Sequence, residues 1–280
     1  MFGSMRAFNR LCLLLLSLPL LAPSGALAQG ASPSLTARVA GVDSEAAARK
    51  LRIETLDVRV RIRGTIAETT ITARFVNPGG DNLEGDFTLA MPAGSVVTGY
   101  ALDIGDRMID GALVDQRQGR IAYERLVRGR IDPGLGEVSR DFLFRTRVFP
   151  IPPGGGRTIR LRFVTPLDPG RGYVLPFRDT GEIGRLTMEL EVVGPAGQGL
   201  SIAGAPYIFR DEGGVQRFTL DRREARLDGS IGISATEGPA LQISRHPNGE
   251  RFFAISDRVL GYGSPAAPPR SVAILWDRSL

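Results

Sequence analysis

From residue 51 onward the chain alternates between apolar and charged side chains. In LRIETLDVRVRIRG, residues 51–64, Leu56, Val58, Val60 and Ile62 take one set of alternate positions, and Asp57, Arg59, Arg61 and Arg63 take the other. A period of two, rich in β-branched residues, predicts an antiparallel strand with one face buried and one in water. Gly64 interrupts the pattern, and TIAETTITARFV resumes it through Ile66, Thr69, Ile71, Ala73 and Phe75 with one slip of phase, which a bulge would accommodate. Asn77-Pro78-Gly79-Gly80-Asp81 predicts a turn, because proline fixes φ and glycine tolerates positive φ. Further strands are expected at LEGDFTLAM, VVTGYALDIG and MIDGALVD, with Gly105-Asp106 suited to a tight hairpin between the last two.

One stretch changes period. DQRQGRIAYERLVRG, residues 115–129, reads as a short helix: Asp115 and Gln118 stand as a capping box, Ala122 with Leu126 and Tyr123 with Val127 are spaced i,i+4, and Gly129 supplies a left-handed stop. A helix this short is marginal alone in water, so it is expected to lie on a sheet. Strand patterns return at FLFRTRVFPI and RTIRLRFVTPL, and Asp168-Pro169-Gly170 marks a boundary. Beyond it RLTMELEVVG, LSIAG, QRFTLD, ISATEG, ALQIS and RFFAIS are short strands between glycines, the spacing of a β-sandwich. GYGSPAAPP has the composition of a linker, and SVAILWDRSL, residues 271–280, closes the chain with an apolar run ending in an acid and a hydroxyl.

The amino terminus has a different character. Arg6 and Arg10 precede an apolar run over residues 11–22, followed by Ala26-Leu27-Ala28, the layout of a cleavable secretory signal peptide. About a dozen apolar residues are too few to span a hydrocarbon layer of roughly 30 Å. Residues 29–45 are small and polar and are expected to form a loose mature terminus. Loss of residues 1–28 lowers the formal charge from +5 by two arginines to +3 and removes Cys12, the one cysteine, so the mature chain has no disulfide and no thiolate metal site. The remaining arginines are interspersed with acids, as in LDRREARLDG, rather than gathered in a stripe, which argues against nucleic acid as a partner.

Several blocks in order carry a family resemblance: Gly64-Thr65-Ile66-Ala67-Glu68, Phe75-Val76-Asn77-Pro78, Leu83-Glu84, MPAGSVVTGY, IGDRMIDG, Arg120 with Tyr123-Glu124, and Ile151-Pro152-Pro153-Gly154. Over residues 46–168 the chain resembles the VIT domain of inter-alpha-trypsin inhibitor heavy chains and vault poly-ADP-ribose polymerase. It departs at DPGLGEVSRDFLF, where family members carry a leucine- and glutamate-containing segment. The resemblance implies a mostly β fold: an antiparallel, sandwich-like VIT domain with one short helix, a second β-rich module over 169–262, a linker over 263–270, and the first strand of an α/β von Willebrand factor A domain over 271–280. That strand, AILWDRSL, is similar to the start of a metal-ion-dependent adhesion motif, with Asp277 and Ser279 on its first two positions. The motif's next serine falls past Leu280, so the metal site is expected to be incomplete in this sequence. Mg²⁺ or another divalent cation, which wants hard oxygen ligands, is implied only for a complete A domain.

Other chemistry is thinner. His246 is the one histidine and sits in the turn-like SRHPNGE, a context of surface residues. Gly154-Gly155-Gly156 links two strands instead of opening a helix, so it lacks the N–H array that holds phosphate. Asp103, Asp106 and Asp110 could form a cation site but read more simply as a polar strand face and a turn. Tyr123-Glu124 belongs to the family pattern and reads as structural. The expectation is therefore an exported, non-catalytic interaction or adhesion protein of the periplasm, cell envelope or medium, with protein or cell-surface ligands as partners and membrane association only through residues outside this sequence. Two alternatives stay open: an exported β-sandwich hydrolase that uses two acids on polysaccharide, and a purely structural envelope protein.

Overall fold

The structure, a computed structural model, describes residues 33–42, 48–105, 107–111, 136–167, 172–194, 199–234, 241–245 and 248–255. In chain order the strands are β1 (Ser34–Val39), β2 (Arg49–Lys50), β3 (Arg52–Arg63), β4 (Ile66–Val76), β5 (Leu83–Ala90), β6 (Val96–Ile104), β7 (Arg107–Asp110), β8 (Gly136–Val138), β9 (Leu143–Ile151) and β10 (Gly156–Pro166). They continue as β11 (Tyr173–Phe177), β12 (Glu182–Val193), β13 (Leu200–Ile202), β14 (Ala205–Tyr207), β15 (Arg210–Asp211), β16 (Val215–Arg226), β17 (Gly229–Ile233), β18 (Leu241–Arg245) and β19 (Arg251–Ile255).

An eight-stranded sheet in the order β15-β16-β12-β3-β4-β10-β6-β7 forms the backbone of the molecule. A five-stranded sheet, β2-β1-β5-β9-β8, and a four-stranded sheet, β11-β17-β13-β14, both cover its inner face. Phe75 and Thr69 lie on the same face of β4 and mark the two coverings. The Phe75 ring meets Phe87 of β5 edge-on at 5.9 Å, Phe87 meets Phe144 of β9 at 6.2 Å, and Tyr100 of β6 lies 5.4 Å from Phe144. Towards the other end, the buried Thr69 hydroxyl is 2.7 Å from the Tyr173 hydroxyl of β11. Burial pushes the Tyr173 phenol well above its ordinary value, and the bond to Thr69 only partly offsets this.

The alternation read in the sequence is the alternation of burial. Leu56, Val58, Val60 and Ile62 are buried, and Arg59, Arg61 and Arg63 face water. The phase slip is located elsewhere, however. β4 is regular through Ala67, Thr69, Ile71, Ala73 and Phe75, and the irregularity lies in β3 between Ile53 and Thr55, so that Ile53 and Leu56 are both buried three residues apart. Gly184 makes room for this bulge, since a Cβ there would come within 2.7 Å of the Glu54 carbonyl oxygen. The hairpin at Gly105 is present, with Ile104 opposite Arg107.

One expectation changes. The described residues contain no helix, so the mostly β fold with one short helix is corrected to an all-β fold. The physical reason is the period of the described residues: apolar side chains recur at every second position, as in Leu56, Val58, Val60 and Ile62, which builds one face of a sheet and no helical stripe. Residues 115–129, on which that helix was read, lie outside the described residues. Strands from the stretches 46–168 and 169–262 share a sheet: β12 pairs in parallel with β3 from Ile183 opposite Ile53 to Val193 opposite Arg63. Among the described residues no helix is long and apolar enough to cross a membrane.

Candidate interaction surface

The outer face of the eight-stranded sheet carries ladders of charge set by register. Glu191 of β12 stands directly opposite Arg61 of β3 on one side and Arg217 of β16 on the other. Its carboxylate accepts from Arg61 Nε at 2.5 Å and from Arg217 Nη2 at 2.6 Å and Nε at 3.1 Å. Arg217 also reaches Glu212. Hydrogen bonds from Arg217 and then Arg61 hold the Glu191 carboxyl below the usual carboxylate range, although its desolvation works the other way. Two residues along, Arg59 lies 3.8 Å from Glu189 and 3.1 Å from Asp57, and Asp57 accepts from the Thr187 hydroxyl at 2.8 Å. Arg185 grips Asp221 with two parallel bonds of 3.0 and 2.6 Å, and that hydrogen bonding lowers the Asp221 carboxyl.

The acids of the β6–β7 hairpin also face arginines, Asp103 by ion-pair contact without a hydrogen bond to its Oδ1 and Asp110 by hydrogen bonds. The Asp103 carboxylate lies between Arg74 at 3.8 Å and Arg157 at 4.0 Å, and Asp110 accepts from Arg160 at 3.2 Å and Arg162 at 3.3 Å. Gly99 lets the Arg162 guanidinium lie across the sheet, because a Cβ there would come within 2.6 Å of its Nε. The spacing that invited a cation site thus serves arginine pairing. Asp106 lies outside the described residues, and among those described no group of three or more His, Cys, Asp or Glu is arranged to hold a metal ion.

The motif turns meet at one end of the sandwich. Asn77, 1% exposed, donates through its side-chain amide to the carbonyls of Asp81 at 2.8 Å, Ile151 at 3.2 Å and Pro152 at 3.1 Å, while its oxygen accepts from the Gly79 N–H at 3.0 Å. The Asn77 N–H donates to the Gly155 carbonyl and the Gly154 N–H to the Gly79 carbonyl. One side chain therefore clasps the β4–β5 turn to the β9–β10 turn. At Gly156 a Cβ would stand 2.2 Å from the Phe75 carbonyl oxygen, so the glycine run serves close strand approach. Sequence reading found both turns but not their contact. The buried Glu191 was also missed, and its signal was the run of Glu189 and Glu191 at alternate positions of an apolar strand facing the arginines of β3.

Asp277 and Ser279 of the adhesion motif, His246, and Tyr123 with Glu124 all lie outside the described residues. The model of the vault protein inter-alpha-trypsin domain family matches residues 53–163. Among solved structures the chain is similar to an M1 zinc metallopeptidase from Deinococcus radiodurans, at 13% identity and a TM-score of 0.39, over 77% of this chain and 50% of that one. It is also similar to a Legionella pneumophila protein described as nutrient-binding, at 12% identity and a TM-score of 0.36, over 66% of this chain and 67% of that one. The chain spans about half the length of the metallopeptidase, and at these TM-scores the likenesses carry no argument about function. Comparison with curated proteins gave no match.

Proposed function

We propose, from the VIT domain that the chain carries at residues 53–163, that the protein is an exported, non-catalytic interaction protein in which this domain braces a metal-dependent A domain. The observation that carries the reading is the shared eight-stranded sheet. Because β12 is joined to β3 by ten residue pairs, from Ile53 to Arg63, the strands that follow the VIT region are built into its own sheet and stiffen it as a platform. A platform of this kind suits presentation of an adhesive domain. In that domain the Asp277 carboxylate and the Ser279 hydroxyl would be the first oxygens around a divalent cation, and the cation would supply an open position for an acidic group of a partner protein or surface. The signal-peptide layout of residues 1–28 supports an activity in the periplasm, envelope or medium.

The test is calorimetric titration of Mg²⁺ into the full-length protein, then partner capture with and without chelator. Saturable Mg²⁺ binding that Asp277→Ala abolishes, together with chelator-sensitive capture, is the expected result. Capture indifferent to both chelator and Asp277→Ala would sink the metal grip.

A further inference from the structure

The eight-stranded sheet ends unevenly. On one side its last strand is β7, only Arg107–Asp110. On the other, β15 covers just two positions of the twelve-residue β16, with Arg210 opposite Arg217 and Asp211 opposite Gln216. From Phe218 onward no described strand pairs with the outer edge of β16. At Glu224 the backbone turns left-handed, with φ of +48°, which ends the flat run. Among the described residues the unpaired edge is therefore 218–223, Phe218-Thr219-Leu220-Asp221-Arg222-Arg223. A strand edge presents a row of backbone donors and acceptors ready for another chain.

The side chains say which chain. Asp221 is already held by Arg185, so its charge is satisfied within the sheet. Arg222 and Arg223 are both exposed, and as neighbours on a strand they project to opposite faces. Arg226, beyond the kink, is exposed as well. At the other end of the edge, Phe218 packs edge-on against Tyr207 at 5.4 Å, and the adjoining Ile208 is 88% exposed. The edge is thus apolar at one end, and at the other it carries Arg222 on one face and Arg223 on the other, with the exposed Glu224 beyond them at the kink. In antiparallel pairing of two copies about Arg222 that arginine meets its counterpart, and the Asp221 that would face Arg223 is already engaged by Arg185, so an acidic peptide answers these charges better than a second copy does.

We propose that the open edge of β16 is a docking site for an extended acidic peptide, which adds to the eight-stranded sheet as a further strand. Backbone hydrogen bonds along residues 218–223 would supply affinity, and carboxylates beside Arg222 and Arg223 would supply selectivity. This surface is separate from the proposed A-domain grip and needs no metal.

The experiment uses the 280-residue chain and fluorescein-labelled peptides with valine and threonine at one end and two glutamates at the other, in both chain directions. Anisotropy is expected to rise to saturation with at least one of them. The double substitution Arg222→Glu, Arg223→Glu should weaken binding by about tenfold or more, as reversal of interfacial charge does. Both arginines are exposed, so the variant should fold, which circular dichroism checks. Hydrogen exchange in the presence of peptide should slow at the amides of 218–223. No binding by either peptide overturns the proposal. Binding that the substitutions leave unchanged also overturns it, as does binding without protection of these amides, since that would be diffuse surface electrostatics instead of strand addition.

Discussion

At the scale of single residues, two side chains concentrate the forces that hold the fold. Glu191 is 7% exposed and is satisfied by two guanidiniums. Its folded carboxyl lies below the ordinary value, so it stabilises the protein above the unfolded carboxylate range, and the contribution is lost as pH falls through the folded value. Glu191→Gln should therefore cost about 1–2 kcal/mol near neutral pH, where the ionised form is bonded, and the difference should shrink in acid. Urea unfolding of both proteins across that pH range checks the sign. Asn77→Ala removes the side-chain donors that serve the carbonyls of Asp81, Ile151 and Pro152. It should lower stability by roughly 2–4 kcal/mol, read as a lower urea midpoint with little change of slope.

At the scale of elements, the sequence showed where strands run but not which strands meet. The alternation in residues 51–64 identified the buried set Leu56, Val58, Val60 and Ile62, because a period of two is a local property. The partner of β3 was not legible. Parallel and antiparallel neighbours impose the same alternation, and β12 lies far along the chain. The bulge at Glu54 was misplaced into β4 for a related reason: only the cross-strand register reveals which strand carries the extra residue. Among candidate site residues, Asp103 and Asp110 were legible as a polar face but not as arginine partners, since Arg74, Arg157, Arg160 and Arg162 arrive from β4 and β10.

At the scale of the whole molecule, the shared sheet makes the VIT region depend on strands that come after it in the chain. A fragment restricted to residues 33–168 keeps β1 but lacks β12, so the inner-face residues Val58 and Val60 lose Met188 and Leu190 opposite them, and β3 becomes an open edge. Such a fragment is expected to aggregate or unfold non-cooperatively, whereas a chain that runs on through β17 should be monomeric with a sharp transition. Size-exclusion chromatography and thermal unfolding of the two distinguish the outcomes. A fragment that is monomeric and cooperative would mean that the parallel seam contributes little.

The seam between β3 and β12 also bears on how the protein comes into being. Arg61 must wait for Glu191, 130 residues later, while the β3–β4 hairpin can close at once. Contacts so distant in sequence slow folding, and a chain that emerges amino end first carries a bare strand edge throughout the wait. In that interval the like charges of Arg59, Arg61 and Arg63 would disfavour in-register parallel pairing of two such edges, while the edge stays open to other strands. The arginines that later anchor the outer ladder would first narrow the range of strands that the unfinished edge accepts.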